Sequence, residues 1–306
     1  MKIKNILGSI ILIIIFYFLF LNLSQNWSEL SANMGNLDIF LLIISLLFLL
    51  IFYLFHTFVW IQILKKQGYT VNFKEAFKIR SISEIGKYTP GKVWHIIGRT
   101  YLSSKLKIPK ITTLTSMVIE TLLMLISAGF FIVLFSLNSQ DFKTILILIL
   151  TILGLLAIRT KYFERVLNKL LKKTRKITNE IKINISLKFT LLLLVFYLFG
   201  WLIIGHSLFF IIKSIYPQID YSLIFIISGI FAASWALGYI SFLTPGGLGV
   251  REGIMVLLLY PYLPNALATI VPIIIRLLTI LTELVLAAIS SKIKLQKNNR
   301  EELLLH

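Results

Sequence analysis

Hydrophobic positions in this chain run in long uninterrupted blocks rather than alternating, and short polar connections separate the blocks. Blocks at 6–23, 39–64, 114–137, 187–212 and 223–243 reach or approach the roughly 20 apolar residues that a helix needs to cross a bilayer. A shorter block at 145–158 reaches that length if it extends from Phe142, and 266–289 reaches it with three polar interruptions. The first block exceeds a signal-peptide core and lacks a small-residue cleavage site, so it reads as a retained span. The pattern predicts an all-α, polytopic integral membrane helix bundle of about 7–8 membrane segments, with all of 1–306 as one transmembrane domain.

Two interruptions share a pattern. Thr89-Pro90-Gly91 is followed seven residues later by Gly98, and Thr244-Pro245-Gly246 by Gly253, at an offset of 155. Pro removes an N–H and Gly frees the backbone, so each tripeptide breaks a helix. Irregular backbone at membrane depth survives only where protein or a water-filled cavity satisfies its polar groups, so both breaks should line an interior. Downstream, Thr113, Ser116, Glu120 and Ser127 fall on one helix face; so do Thr269, Pro272, Arg276, Thr279, Glu283 and Ser290. A shift of 156 carries Glu120 onto Arg276 and Ser127 onto Glu283. The halves 37–140 and 187–290 therefore each read as span, broken segment, polar-striped span. Two broken or re-entrant segments in an inverted repeat are the expectation. Segment 73–101 either dips into the membrane or lies on it, and 249–260 reads as a half-helix.

Charge fixes the expected topology. Of the 31 Lys and Arg, eleven fall at 64–111 and ten at 159–188, whereas the connections at 24–38, 138–143 and 213–220 hold only Lys143 and Lys213. The positive-inside rule then places both termini and the basic connector 159–186 in the cytoplasm of a multi-pass protein of the cell membrane. The net charge of +18 thus reads as topology and attraction to anionic lipid, not as nucleic-acid binding. Hydrophobic residues at 58% exclude an ordinary soluble domain. The absence of cysteine excludes disulfides and thiolate chemistry. Four scattered histidines give no metal-ligand spacing, no cofactor is expected, and no GxSxG, Walker loop or paired carboxylate supports an enzyme.

Glu120, Arg276 and Glu283 lie inside spans, where a charge costs a few kcal/mol and needs a partner or a purpose. The repeat predicts that Glu120 and Arg276 approach each other, either as a head-group path or as a structural ion pair. Gly246, Gly247 and Gly249 precede Arg251 and Glu252, so a helix starting there offers free N–H groups and a positive dipole end suited to phosphate. Lys87, Lys92 and Arg99 around the first break offer the same, or snorkel to the interface. His95 sits inside the first motif.

Ile85-Gly86-Lys87-Tyr88-Thr89-Pro90-Gly91-Lys92-Val93-Trp94 resembles the KYxPGKxW segment of the lysylphosphatidylglycerol synthase/flippase transmembrane-region family. Thr244 to Glu252 resembles its PGGxGxRE segment. Glu120 matches the family's intramembrane Glu, although the Arg that usually follows is Thr121 here. The resemblance implies a protein that handles lipids with charged or glycosylated head groups, with Lys87, Tyr88, Pro90, Gly91, Lys92, Trp94, Arg99, Glu120, Pro245, Gly246, Gly247, Gly249, Arg251, Glu252, Arg276 and Glu283 as the expected substrate-binding set. It implies a flippase without the soluble synthase domain, working on aminoacyl-phosphatidylglycerol-like or polyprenyl-phosphate-linked lipid. The expected partners are membrane lipids and a separate synthase or glycosyltransferase. A non-transporting scaffold for such an enzyme, or an intramembrane transferase, are the alternatives.

Overall fold

In a computed structural model, residues 37–88, 93–136, 186–241 and 247–295, with Ser24, are described. The expected spans at 6–23 and 145–158, and the connector 159–186 up to its last residue, lie outside them. All regular structure among the described residues is helical. The order is α1 (Ile39–Lys66), α2 (Phe73–Glu84), a 3-10 turn (Ile85–Tyr88), α3 (Trp94–Ser104), α4 (Lys110–Ser136), α5 (Leu187–Ile215), a 3-10 turn (Tyr221–Leu223), α6 (Ile224–Ile240), α7 (Val250–Leu259) and α8 (Asn265–Ser291). Among the described residues, five segments are long and apolar enough to cross a membrane: α1, α4, α5, α6 with its 3-10 lead-in, and α8. Each coincides with an expected block.

Local chemistry sets the ends. Asp38 Oδ1 accepts from the Phe40 and Leu41 N–H groups at 2.8 and 3.2 Å and starts α1. At its other end Gly68 adopts φ +88°, while Tyr69 N–H donates to Leu64 and Gly68 N–H to Lys65. This is a Schellman closure, which glycine accepts without a Cβ clash. Asn72 Oδ1 caps α2 through the Lys74 N–H at 3.1 Å. Pro109 and Pro264 immediately precede α4 and α8, where a missing N–H costs no helical hydrogen bond.

These two prolines are again 155 residues apart. In both halves a long helix (28 and 29 residues) leads to a helix, a break, a short helix (11 and 10 residues) and a 27-residue helix. Apart from the 3-10 turns, the helix order therefore repeats among the described residues.

Two compact units divide the described residues: 37–53, 124–136, 194–241 and 247–282 form one, and 54–88, 93–123, 186–193 and 283–295 the other. In the first, buried hydroxyls act between helices: Trp201 Nε1 donates to Ser127 Oγ at 2.8 Å, and Ser45 and Ser207 share a hydrogen bond of 2.8 Å. In the second, Trp60, Leu64, Ala76, Ile79, Leu106 and Ile108 form a core, and Trp60 Nε1 donates to Ser116 Oγ at 2.9 Å. Such bonds hold helices where lipid tails remove the hydrophobic drive for association. On α1, Ile39, Phe40, Ile43, Leu47, Ile51, Leu54 and Phe58 form an exposed stripe at helical spacing. On a soluble protein that patch would aggregate; on a spanning helix it faces lipid.

Candidate functional site

In the second unit, α2, its 3-10 extension, α3, α4 and α8 bring six charged side chains and a tyrosine into one chain of contacts. Arg80 and Glu84 stand one turn apart on α2, and Arg80 pairs with Glu120 of α4. The other Glu120 oxygen accepts from Arg99 Nη1 of α3 at 2.7 Å. Arg99 Nη2 reaches Glu84 at 3.2 Å. Glu84 also meets Lys87 at 3.1 Å, and Lys87 meets Glu283 of α8 at 2.5 Å. Tyr88 donates its hydroxyl to the second Glu283 oxygen at 2.8 Å. Arg99 is further held by Ser83 Oγ at 3.4 Å and lies 5.5 Å over the Trp60 ring.

Three cations and three carboxylates alternate, so the network is neutral overall. It is closed at Arg99–Glu120, with side chains 4% and 8% exposed, and at Glu283, 4% exposed; between them the Glu84–Lys87 pair is open, at 27% and 19%. Burial alone would raise the Glu84 pKa, but Lys87, Arg99 and Arg80 together hold it below the ordinary range. Burial would lower Lys87, but Glu283 and Glu84 push it above its ordinary range. Both therefore stay charged at neutral pH. Gly86 makes the arrangement sterically feasible: a Cβ there would sit 2.6 Å from the His95 nitrogen and 2.7 Å from the Trp94 carbonyl carbon.

The first unit holds a smaller cluster at the start of α7. Gly247 and Gly249 adopt φ +71° and +79°, as the turn into the helix requires. Arg251 lies over the Trp235 ring at 5.7 Å, and its side chain fills the space that Cβ atoms on Gly238 and Gly247 would take. Glu252 accepts the Gly249 N–H at 2.6 Å and pairs with Arg276 of α8 at 3.3 Å.

The structure thus joins Lys87, Tyr88, Arg99, Glu120 and Glu283 in one network, and Gly247, Gly249, Arg251, Glu252 and Arg276 in another. Trp94 stands apart from the network, 55% exposed on the outer face of α3. Pro90, Gly91, Lys92, Pro245 and Gly246, with both Thr-Pro-Gly breaks, lie outside the described residues. Within its own unit Glu120 meets Arg80 and Arg99, and within the other Arg276 meets Glu252. In both, the short helix supplies a counter-charge to the long helix after it. Arg99 is accordingly committed to carboxylates, and one N–H at the start of α7 is already capped by Glu252. Sequence reasoning missed Arg80 and Glu84 as site residues. Their signal was the i, i+4 spacing with Ser83 and Lys87 alongside, hidden within a lysine-rich stretch that topology had already explained.

No curated protein matches the chain. The family model described as the lysylphosphatidylglycerol synthase TM region matches residues 5–287, nearly the whole sequence. With five apolar helices of spanning length among the described residues, the chain belongs to the lysylphosphatidylglycerol synthase transmembrane-region family and is a multi-pass membrane protein related to lipid handling.

Proposed function

We propose that this protein is a lipid translocase, not an enzyme, that moves a phospholipid or lipid-linked head group between the leaflets of the cell membrane. The observation that carries this reading is the neutral, alternating network from Arg80 to Tyr88, closed at Arg99–Glu120 and open at Glu84–Lys87. Isolated charges among membrane helices are costly, but exchanging one ion pair for another keeps every charge compensated. A head group bearing phosphate and a cation can do this: phosphate takes Lys87, and the head-group cation takes Glu84 or Glu283. Aminoacyl-phosphatidylglycerol-like lipids carry both groups, and polyprenyl-phosphate-linked lipids carry the phosphate. The repeated element order supports an inverted repeat, the usual frame for alternating access. The lysines at the ends of α1, α4 and α8 support cytoplasmic placement of those ends, and with them both termini. A separate synthase or glycosyltransferase would supply the lipid.

The test is reconstitution of the full chain in liposomes carrying fluorescent lysyl-phosphatidylglycerol, phosphatidylglycerol or a polyprenyl phosphate, with an impermeant quencher reporting leaflet exchange. At least one lipid should exchange with the parent protein and slow at least tenfold in Lys87→Gln. If folded protein moves none of the three, the translocase reading fails and the scaffold reading replaces it.

A further inference from the structure

We infer that α2 and α3 form a re-entrant hairpin: α2 carries the chain into the bilayer from the lysine-rich face, and α3 returns it to that same face with its outer side against lipid acyl chains. This goes beyond the transport reading and does not depend on it.

The two arms are antiparallel and closely packed. A Cβ on Gly98 would lie 3.6 Å from Ser83, and one on Gly86 would strike the backbone of His95 and Trp94. Each contact pairs residues whose numbers sum to about 181, the signature of two arms running in opposite directions. The arms are 12 and 11 residues long. At about 1.5 Å per residue each covers about 17 Å, near half of a ~30 Å hydrocarbon core.

The spanning helices beside the hairpin act as rulers. Lys78, midway along α2, donates to the Ser291 carbonyl at 3.0 Å and to that of Ile293, at the C-terminal end of α8. Lys87 and Tyr88, past the end of α2, meet Glu283, eight residues earlier on α8. The chain has therefore moved about 12 Å inward along that span. Arg99, on the returning arm, meets Glu120, ten residues or about 15 Å from the start of α4 at Lys110. It also stacks on Trp60, six residues or about 9 Å from the end of α1 at Lys66. All three span ends carry lysine: Lys65 and Lys66, Lys110, and Lys292 with Lys294. The hairpin thus starts and finishes at one basic level and reaches well inside it.

The faces of α3 agree. Arg99 and Ser103 are buried against the network and core, while Val93, Trp94, Ile97 and Tyr101 are exposed along one stripe at 48%, 55%, 48% and 58%. The stripe ends at Lys105, whose ammonium lies 4.8 Å over the Tyr101 ring. An apolar face closing on a Tyr–Lys pair at the basic end is the order expected for a helix rising to the head groups.

The chain has no native cysteine, so single-cysteine variants of the full protein test this directly. Lys74→Cys, Trp94→Cys, Ile97→Cys and Lys105→Cys all sit at exposed positions that tolerate change. In sealed proteoliposomes, an impermeant maleimide should label the cysteines at 74 and 105 from one side only, the same side for both. The cysteines at 94 and 97 should resist that reagent from either side. Once spin-labelled with a permeant reagent, they should show higher accessibility to oxygen than to a water-soluble nickel chelate, with position 94 the deeper. Labelling of 74 and 105 from opposite sides would make the segment a crossing. Labelling of 94 and 97 as fast as 105 would make it a surface helix. Either result overturns the inference.

Discussion

Glu120 is the residue on which the buried network can be tested most sharply. Its carboxylate lies between two guanidinium groups, 2.7 Å from Arg99 Nη1 and in contact with Arg80, and its side chain is only 8% exposed. Glu120→Gln keeps the shape and removes the charge, leaving Arg80 and Arg99 facing an amide. Breaking a buried pair by deleting one partner costs about 3–5 kcal/mol, against about 0–1 kcal/mol for an exposed pair. Arg99 retains Glu84 at 3.2 Å and Ser83, so the low end, about 3 kcal/mol, is expected. At roughly 2–4 °C per kcal/mol, thermal unfolding in detergent should fall by about 6–12 °C. Tryptophan emission is a suitable probe because Trp60 lies 5.5 Å from the Arg99 guanidinium. A double-mutant cycle with Arg99→Gln isolates the pair: the two single losses should exceed the double loss by about 1–3 kcal/mol. If Glu120→Gln melts within about 1 °C of the parent, or the two losses simply add, the carboxylate does not hold the network and the reasoning is refuted.

Gly86→Ala places a Cβ against helix backbone that cannot move aside, and should lower stability by about 1–3 kcal/mol, whereas Gly98→Ala meets only an ordinary contact and should be neutral or slightly stabilising in the same melts. Gly247→Ala forces a side chain onto φ +71° and onto Arg251; it should cost at least about 1 kcal/mol and shift Trp235 emission as Arg251 leaves the ring. The Glu84–Lys87 contribution should be level between the ordinary values of 4.5 and 10.5: a depressed Glu loses its contribution only as pH falls below the first, and a raised Lys only as pH climbs above the second. Melts of the parent against Glu84→Gln should therefore differ by a constant amount from about pH 5 to 10 and converge in acid; a difference that fades near pH 7 contradicts the assignment.

The spans were legible in the sequence because membrane crossing is a matter of apolar length. Blocks at 39–64 and 266–289 became α1 at 39–66 and α8 at 265–291. Short helices beyond the breaks were half legible: 249–260 became α7, while α2 and α3 fell in the segment 73–101, read as either dipping into the membrane or lying on it, without their helical bounds. Ion-pair partners were not legible, because they depend on how helix faces rotate against one another. Arg80 and Glu84 differ from nearby Lys74, which is exposed, by meeting Glu120 of α4 and Arg99 of α3, and nothing in composition separates them. Glu120 and Arg276 show what the repeat carries over. Positions related by the repeat carry opposite charges, and each is neutralised by the short helix of its own half: Arg99 for Glu120, Glu252 for Arg276. What the repeat preserves is a bond between a short helix and the long helix after it, with its sign reversed. A reversal is physically cheap, since an ion pair swapped end for end keeps its Coulomb energy while each partner alone would be a buried, uncompensated charge. Matching single residues across the two halves therefore finds the long-helix positions, and matching pairs also finds the short-helix charge that neutralises each.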